Sequence, residues 1–184
     1  MKNFLKRLNK DFYERDTAIV AKELLGKVLV RRLGEKTLAG IIVETEAYYD
    51  ENDPASRAYL GRPKYCVELM KGDVGKSLVY MVHGNWLFNV VAHAKNKTGA
   101  VLIRAIEPIN GIKTKTNGPG KLTKAMKITK ELNGISLIDG NDIFICSFNN
   151  KNSFEICSSY RIGVKRDLPI KLRFFIKGNK FVSK

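Results

Sequence analysis

The segment Ile41-Ile42-Val43-Glu44-Thr45-Glu46-Ala47-Tyr48 constrains this chain most, because it is written as a strand yet ends in carboxylates and a tyrosine. In extended backbone successive side chains face opposite ways. Ile42, Glu44, Glu46 and Tyr48 therefore share one face, and Ile41, Val43, Thr45 and Ala47 the other. A strand that begins wholly apolar and finishes in acids is leaving a core for a cleft or for solvent. In a chain of formal net charge +15, that acid pair is the first place to look for chemistry. The commoner meaning of two glutamates near a strand end is a solvated edge. The pattern alone does not choose between them.

The charge balance narrows the partner. Lys and Arg total 33 against 18 Asp and Glu, a surplus that points to a polyanion: DNA, RNA or an anionic membrane surface. No apolar run reaches the roughly 20 residues that span a bilayer, and no apolar segment follows the basic N-terminus Met1 to Arg7, so no membrane anchor or secretion signal is expected. Three cysteines, Cys66, Cys146 and Cys157, form no CxxC pair and no disulfide framework. A reducing cytoplasm is the expected setting (the nucleus if the source is eukaryotic), with nucleic acid as the favoured partner. The two histidines, His83 and His93, add no metal-ligand spacing to those cysteines, so no metal is expected. At 184 residues and 44% hydrophobic content, residues 1–184 read as one domain able to bury a core and hold a cleft.

Local signals suggest a mixed α/β (α+β) class on a mainly antiparallel sheet, since helices do not alternate regularly with strands. Thr17 to Leu25 reads as a helix, capped by Asp16 and ended by Gly26. Lys27 to Leu33 and Leu38 to Ala47 read as a hairpin around Gly34-Glu35-Lys36-Thr37. A loop over Glu51 to Lys64 precedes a short helix near Tyr65 to Met70. Ser77 to His83 and Trp86 to Ala92 flank a Gly84-Asn85 turn. Gly99 to Ile106 reads as a buried strand, and Gly118-Pro119-Gly120 opens a helix running to about Ile128. Asp142 to Phe148, Phe154 to Cys157, Tyr160 to Val164 and Lys171 to Lys177 read as short strands.

Three features beyond the acid pair invite chemistry. Arg104 is a lone arginine in the apolar strand Val101-Leu102-Ile103-Arg104-Ala105-Ile106-Glu107-Pro108. Such a charge needs an anion, because an unpaired buried charge is costly. Either it pairs structurally with Glu107 or another acid, or it faces Glu46 and the two position a water. The hairpin around His83-Gly84-Asn85 could project and wedge between base steps of DNA, although most hairpin tips do not. Gly118-Pro119-Gly120-Lys121 could offer backbone N–H groups and a lysine to a phosphate; a plain helix start is the commoner explanation, and the longer glycine pattern of a nucleotide-binding loop is missing.

Taken together, Leu24 to Arg31, Ile42 to Tyr48, Asp53-Pro54-Ala55-Ser56, Val101 to Pro108, Gly118 to Leu122 and Arg161-Ile162-Gly163-Val164 resemble, in order and spacing, the alkyladenine (3-methyladenine) DNA glycosylase family. The likeness runs from about Phe12 to Ser183. It implies a curved sheet with flanking helices and a protruding, DNA-wedging hairpin. It also implies a monofunctional, cofactor-free base-excision enzyme, expected to be monomeric, acting on double-stranded DNA that contains a damaged purine (hypoxanthine, ethenoadenine, 3-methyladenine or 7-methylguanine). The base is reached by flipping, which costs a few kcal/mol and least for damaged or mispaired bases. On this likeness Glu46 is the general base, Arg104 helps hold its water and Val164 lines the water site. Tyr48 and Tyr80 sandwich the flipped base, and Asn89 is the pocket asparagine set against the amine of guanine. His83 stands at the wedge position usually held by tyrosine, with Asn85 beside it in place of an apolar residue. Arg57 stands where a pocket histidine is usual, and Lys165 where glycine is usual. Lys121 and Lys165 are candidate contacts to the DNA backbone.

Other classes remain open at this stage. A non-catalytic nucleic-acid-binding domain is one, because the glycosylase fold resembles the C-terminal domain of methionyl-tRNA formyltransferase. A glycosylase with lyase activity, using one of the many lysines as an amine nucleophile, is another.

Overall fold

The computed structural model describes residues 4–148 and 153–183. Its frame is one curled, antiparallel sheet with short helices against it, as the sequence suggests. Strands β1 (Phe4–Arg7), β2 (Val28–Leu33), β3 (Lys36–Tyr48), β4 (Ser77–Val82), β5 (Asn85–Val91), β6 (Ala100–Asn110) and β7 (Ile143–Phe148) lie in the order β1-β7-β2-β3-β6-β5-β4. Two further strands, β8 (Ile156–Ser159) and β9 (Arg173–Ile176), pair with each other, and β9 also pairs with β3.

The long strand β3 organises the molecule. β6 accompanies it on one side from Ala39 to Tyr48. On the other side β2 pairs with it from Lys36 to Ile41, and β9 takes over at Glu44, Thr45 and Glu46. The acid-bearing half of β3 is therefore internal, which overturns the solvated-edge reading: Glu44 and Glu46 are both fully buried. The β3–β6 register also shifts between Ile42 and Glu44 and again between Glu44 and Thr45, leaving Arg104 without a Cα partner on β3. Irregularities of this kind bend a strand locally and re-aim a side chain. Here they turn Arg104 toward the acids.

Local chemistry explains the helices that the sequence marks. In α1 (Lys10–Tyr13) Asn9 caps the start, and in α2 (Thr17–Glu23) the Asp16 carboxylate accepts from the Ala18 and Ile19 N–H groups at 3.0 and 3.1 Å. α2 lies on the core face of β3, where the Thr45 hydroxyl donates to the Ala21 carbonyl at 2.8 Å. The main core joins Val20, Leu24, Val43, Ala47, Phe88, Ile103, Leu122 and Phe174. The region expected as a loop contains a one-turn helix, α3 (Arg57–Leu60), capped by Ser56, before α4 (Lys64–Lys71). α5 (Pro119–Ala125) follows Gly118, shorter than the expected run to Ile128.

Two further expectations are corrected. The β4–β5 turn is His83-Gly84, one residue earlier than Gly84-Asn85; Val82 pairs with Asn85, and His83 and Gly84 have φ of 46° and 72°. Positive φ at both central residues is the turn geometry whose twist matches a two-residue hairpin. Residues 160–164 form no strand. They are an irregular segment, held by Arg161, that crosses the end of β3 on the acid side.

Candidate active site

On the face of β3 opposite α2, Glu44, Glu46 and Tyr48 follow one another at two-residue intervals, and Arg104 reaches over from β6. Arg104 donates from Nε to Glu44 Oε1 at 2.9 Å and from Nη1 to Glu46 Oε2 at 3.2 Å. Its anion is thus this pair and not Glu107, which accepts from Asn179 Nδ2 instead. Glu44 is shared further: Arg173 Nε donates to Oε1 at 2.7 Å, the Ser183 hydroxyl to Oε1 at 2.8 Å, and the Ser183 N–H to Oε2 at 2.7 Å.

Glu46 has a different set of partners. Tyr48 Oη donates to its Oε2 at 2.8 Å, and the Ile162 N–H donates to its Oε1 at 2.8 Å. Burial pushes its pKa above the usual glutamate value, against the opposing pull of Arg104, the Ile162 N–H and the Tyr48 hydroxyl; Glu44 adds to the rise. Burial works against the charge on Arg104, but Glu46 and Glu44 outweigh it and move that pKa up. The result is a carboxylate held in a poorly solvated site beside a fixed cation. Oε2 has two donors, whereas Oε1 has one and retains a lone pair for another.

The acids lie beneath a cleft of about 860 Å³. Its walls include Tyr48, Tyr80, Leu87 and Leu102 from the sheet, Arg57, Tyr59 and Leu60 from α3, and Gly118 to Lys121 at the start of α5; His83, Asn85, Arg104, Val164 and Lys165 also line it. Cross-strand pairing explains the common facing: Tyr80 is opposite Leu87, and Leu102 is opposite Glu46. The Arg57 guanidinium stands over the Tyr80 ring, 4.6 Å from its centre. Burial raises the Tyr80 pKa, with Arg57 opposing. His83 is exposed at the turn. Asn85 donates to the His83 carbonyl at 3.0 Å and sits so close to Gly120 that a Cβ there would lie 2.8 Å from Asn85 Oδ1. A residue larger than glycine would push the hairpin off α5.

Of the residues singled out in the sequence, Tyr48, Tyr80, Arg57, Arg104, Val164, His83, Asn85, Lys121 and Lys165 meet at this cleft, with Glu46 directly below. Asn89 does not reach it. It lies in the same row, opposite Leu102, but is buried and donates to the Leu78 carbonyl at 3.0 Å. Among the described residues, no group of three or more His, Cys, Asp or Glu side chains is placed to hold a metal ion.

The profile of the family described as Methylpurine-DNA glycosylase (MPG) matches residues 11–180. The chain belongs to the methylpurine-DNA glycosylase family. As a member it is a monofunctional DNA glycosylase of DNA repair, and DNA is its substrate. Similar proteins include one from Legionella pneumophila (strain Corby), 43% identical over 98% of this chain and 100% of that protein. One from Clostridium perfringens (strain SM101) is 41% identical over 97% and 99%. One from Aeropyrum pernix is 39% identical over 96% and 93%. Each of these relatives carries the name "Putative 3-methyladenine DNA glycosylase". Among the described residues of this glycosylase, no helix is long and apolar enough to cross a membrane.

The sequence reading of the glycosylase left several site residues without a role. Glu44, Arg173 and Ser183 complete the network around Arg104. Asp53 and Arg161 form a buried ion pair, with Arg161 Nη1 2.6 Å from Asp53 Oδ2. A signal for Arg173 was available: it is an arginine within Leu172-Arg173-Phe174-Phe175, the same pattern that marks Arg104. Asp53 and Arg161 each stand in a motif of the resemblance, but neither motif says that the two pair with each other across 108 residues.

Proposed function

We propose that this glycosylase flips a damaged purine from duplex DNA into the cleft and hydrolyses its glycosidic bond with a water activated by Glu46. The observation that carries this reading is the buried Glu46–Arg104 pair directly beneath an aromatic cleft rimmed by cations. Cleavage of a C1′–N bond passes through an oxocarbenium-like sugar, which a nearby carboxylate stabilises. Glu46 takes a proton from the attacking water through the open position on Oε1, the water oxygen bonds to C1′, and the bonding pair leaves on the base. A pKa raised by burial makes Glu46 a stronger base than a solvated glutamate. Arg104 keeps the water and the carboxylate in register.

Tyr48 and Tyr80 supply stacking surfaces, worth about 1–3 kcal/mol per base in single-strand binders. Val164 closes the wall beside the water. His83, with Asn85 holding its turn, takes the space left by the flipped nucleotide. Lys121 and Lys165 meet phosphates, which an excess of cations at the cleft rim favours. Asn89, held away from the cleft wall, is left out of the binding set. The substrates are the hypoxanthine, ethenoadenine, 3-methyladenine and 7-methylguanine class; residues 1–184 act as one domain and as a monomer, in the cytoplasm.

The test is single-turnover excision from duplexes carrying hypoxanthine, ethenoadenine or 7-methylguanine, with wild type and Glu46→Gln in parallel. Wild type should release base, and Glu46→Gln should be slower by about 10²–10⁴-fold, the usual contribution of a general base. Binding of DNA by both proteins with no release by either would instead favour a non-catalytic nucleic-acid-binding domain.

A further inference from the structure

Arg161 is an unusual residue to find beside a reaction centre it does not touch. Its side chain is fully buried. It donates to Asp53 Oδ2 and Oδ1 at 2.6 Å each, to the Ala47 carbonyl at 2.9 Å, and to Asp167 Oδ1 from Nε at 2.9 Å and from Nη2 at 2.5 Å. Asp167 also accepts from the Arg161 backbone N–H at 3.2 Å and from the Leu168 N–H at 2.8 Å. Asp53 in turn accepts from the Tyr49 N–H at 3.0 Å. Two carboxylates therefore fix one guanidinium to the end of β3 and to both ends of the 161–167 turn.

The consequences fall on the residues next to it. The guanidinium lies 4.6 Å from the centre of the Tyr48 ring. The residue after Arg161 supplies the N–H that bonds Glu46 Oε1 at 2.8 Å. Residues 161–164 form no helix or strand that would hold this N–H in place. An irregular segment keeps one geometry only where side chains tie it down.

We infer that Asp53, Arg161 and Asp167 form a clamp of positioning residues that holds the Ile162 N–H on Glu46 and backs the Tyr48 ring, so that general base and stacking surface are set by one unit. The inference rests on the glycosylase reading of Glu46. The clamp touches neither the base nor the water. It orients the carboxylate so that the second acceptor position of Oε1 faces the cleft, and it fixes the ring whose hydroxyl bonds Oε2. Misplacement of such a group by about 1 Å is enough to cost roughly 10²-fold in rate.

The experiment uses Asp167→Asn, because Asp167 is 17% exposed at the side chain while Asp53 and Arg161 are fully buried. Asp167→Glu serves as the conservative control. Three readouts are taken on the full chain: the pH profile of single-turnover excision, affinity for a duplex carrying an abasic-site analogue, and amide hydrogen exchange at Ile162. In Asp167→Asn excision should slow by about 10²-fold, the Ile162 amide should exchange faster, affinity should hold, and Asp167→Glu should recover part of the rate.

The pH profile separates positioning from charge. Glu46 is faced by Arg104 from β6, by Glu44 and Tyr48 from β3, by Tyr80 from β4 and by the Ile162 N–H. All of these side chains are kept in the variant. Loss of the N–H raises the pKa of Glu46 and moves the acid limb to higher pH. Loss of the Asp167 charge alone leaves Arg161 less compensated and moves that limb to lower pH. An upward shift is expected. A downward or absent shift, or a wild-type rate, overturns the clamp. Absence of excision by the wild type would instead sink the glycosylase reading; unchanged exchange at Ile162 would then still reject the clamp, and faster exchange would still support it.

Discussion

Glu44 is the acid that the proposed chemistry does not use, and it should be the one that stability depends on. Four donors converge on its two buried oxygens: Arg104 Nε, Arg173 Nε, and the N–H and hydroxyl of Ser183. In Glu44→Gln the remaining oxygen can keep the Oε1 partners, but the new NH₂ group faces the Ser183 N–H, two donors with no acceptor between them. The two arginines are then left with Glu46 as their nearest anion. Arg104 is 6% and Arg173 9% exposed, so water does little to screen the imbalance. Removing one partner from a buried ion pair costs about 3–5 kcal/mol, a large share of a typical total of roughly 5–15 kcal/mol. At about 2–4 °C per kcal/mol for a chain of this size, Tm should fall by roughly 6–20 °C.

Thermal unfolding followed by circular dichroism at neutral pH measures this directly. The double variant Glu44→Gln with Arg173→Gln should recover part of the loss, because residues within one network couple and the second change removes the stranded charge. A fall of less than about 2 °C would refute the reasoning. The network would then be worth no more than an exposed pair, about 0–1 kcal/mol.

Other consequences can be checked with the same proteins. Because the folded-state pKa of Glu46 lies above the usual 4.5, its contribution to stability is full below that value and is lost as pH rises through the raised one. The Tm of Glu46→Gln minus that of wild type should therefore grow across this window; a difference flat in pH would show that Glu46 carries no such shift. His83→Tyr enlarges the proposed wedge and should speed, or at least not harm, excision of paired lesions in single turnover, and a large loss would reject the wedge. Arg57 holds a fixed positive charge over Tyr80, which should disfavour cationic 7-methylguanine relative to neutral hypoxanthine. Arg57→His should narrow that preference, and an unchanged ranking of excision rates would rule the charge effect out.

Much of this protein is legible from residues that act on their neighbours in the chain. Asp16 caps α2 because its carboxylate reaches N–H groups two and three residues on, and Gly84 announces a two-residue hairpin turn, although the register that makes its centre His83-Gly84 and not Gly84-Asn85 is set by the strand pairing. The alternation along β3 places Glu44, Glu46 and Tyr48 on one face, and the lone arginine of β6 announces that an anion must be near. Those signals mark Glu46, Tyr48 and Arg104, whereas Tyr80, Arg57, Val164 and Lys165 stand out only through the resemblance to the glycosylase family. The tertiary structure decided which groups they meet. β9 relieves β2 beside β3 just where the acids begin, so an apparent edge becomes an interior. Arg104 finds Glu44 and Glu46 across 60 and 58 residues instead of Glu107 three residues away, because strand neighbours, not chain neighbours, are within reach of a side chain on a sheet. Asn89 shares the row of Glu46 yet is held by its cross-strand partner, and Asp53 meets Arg161 only after the chain has closed its sheet. Periodicity and caps are set over a few residues and can be read from them. The pairing of buried charges depends on the register of strands far apart in sequence, and only the folded chain sets that register.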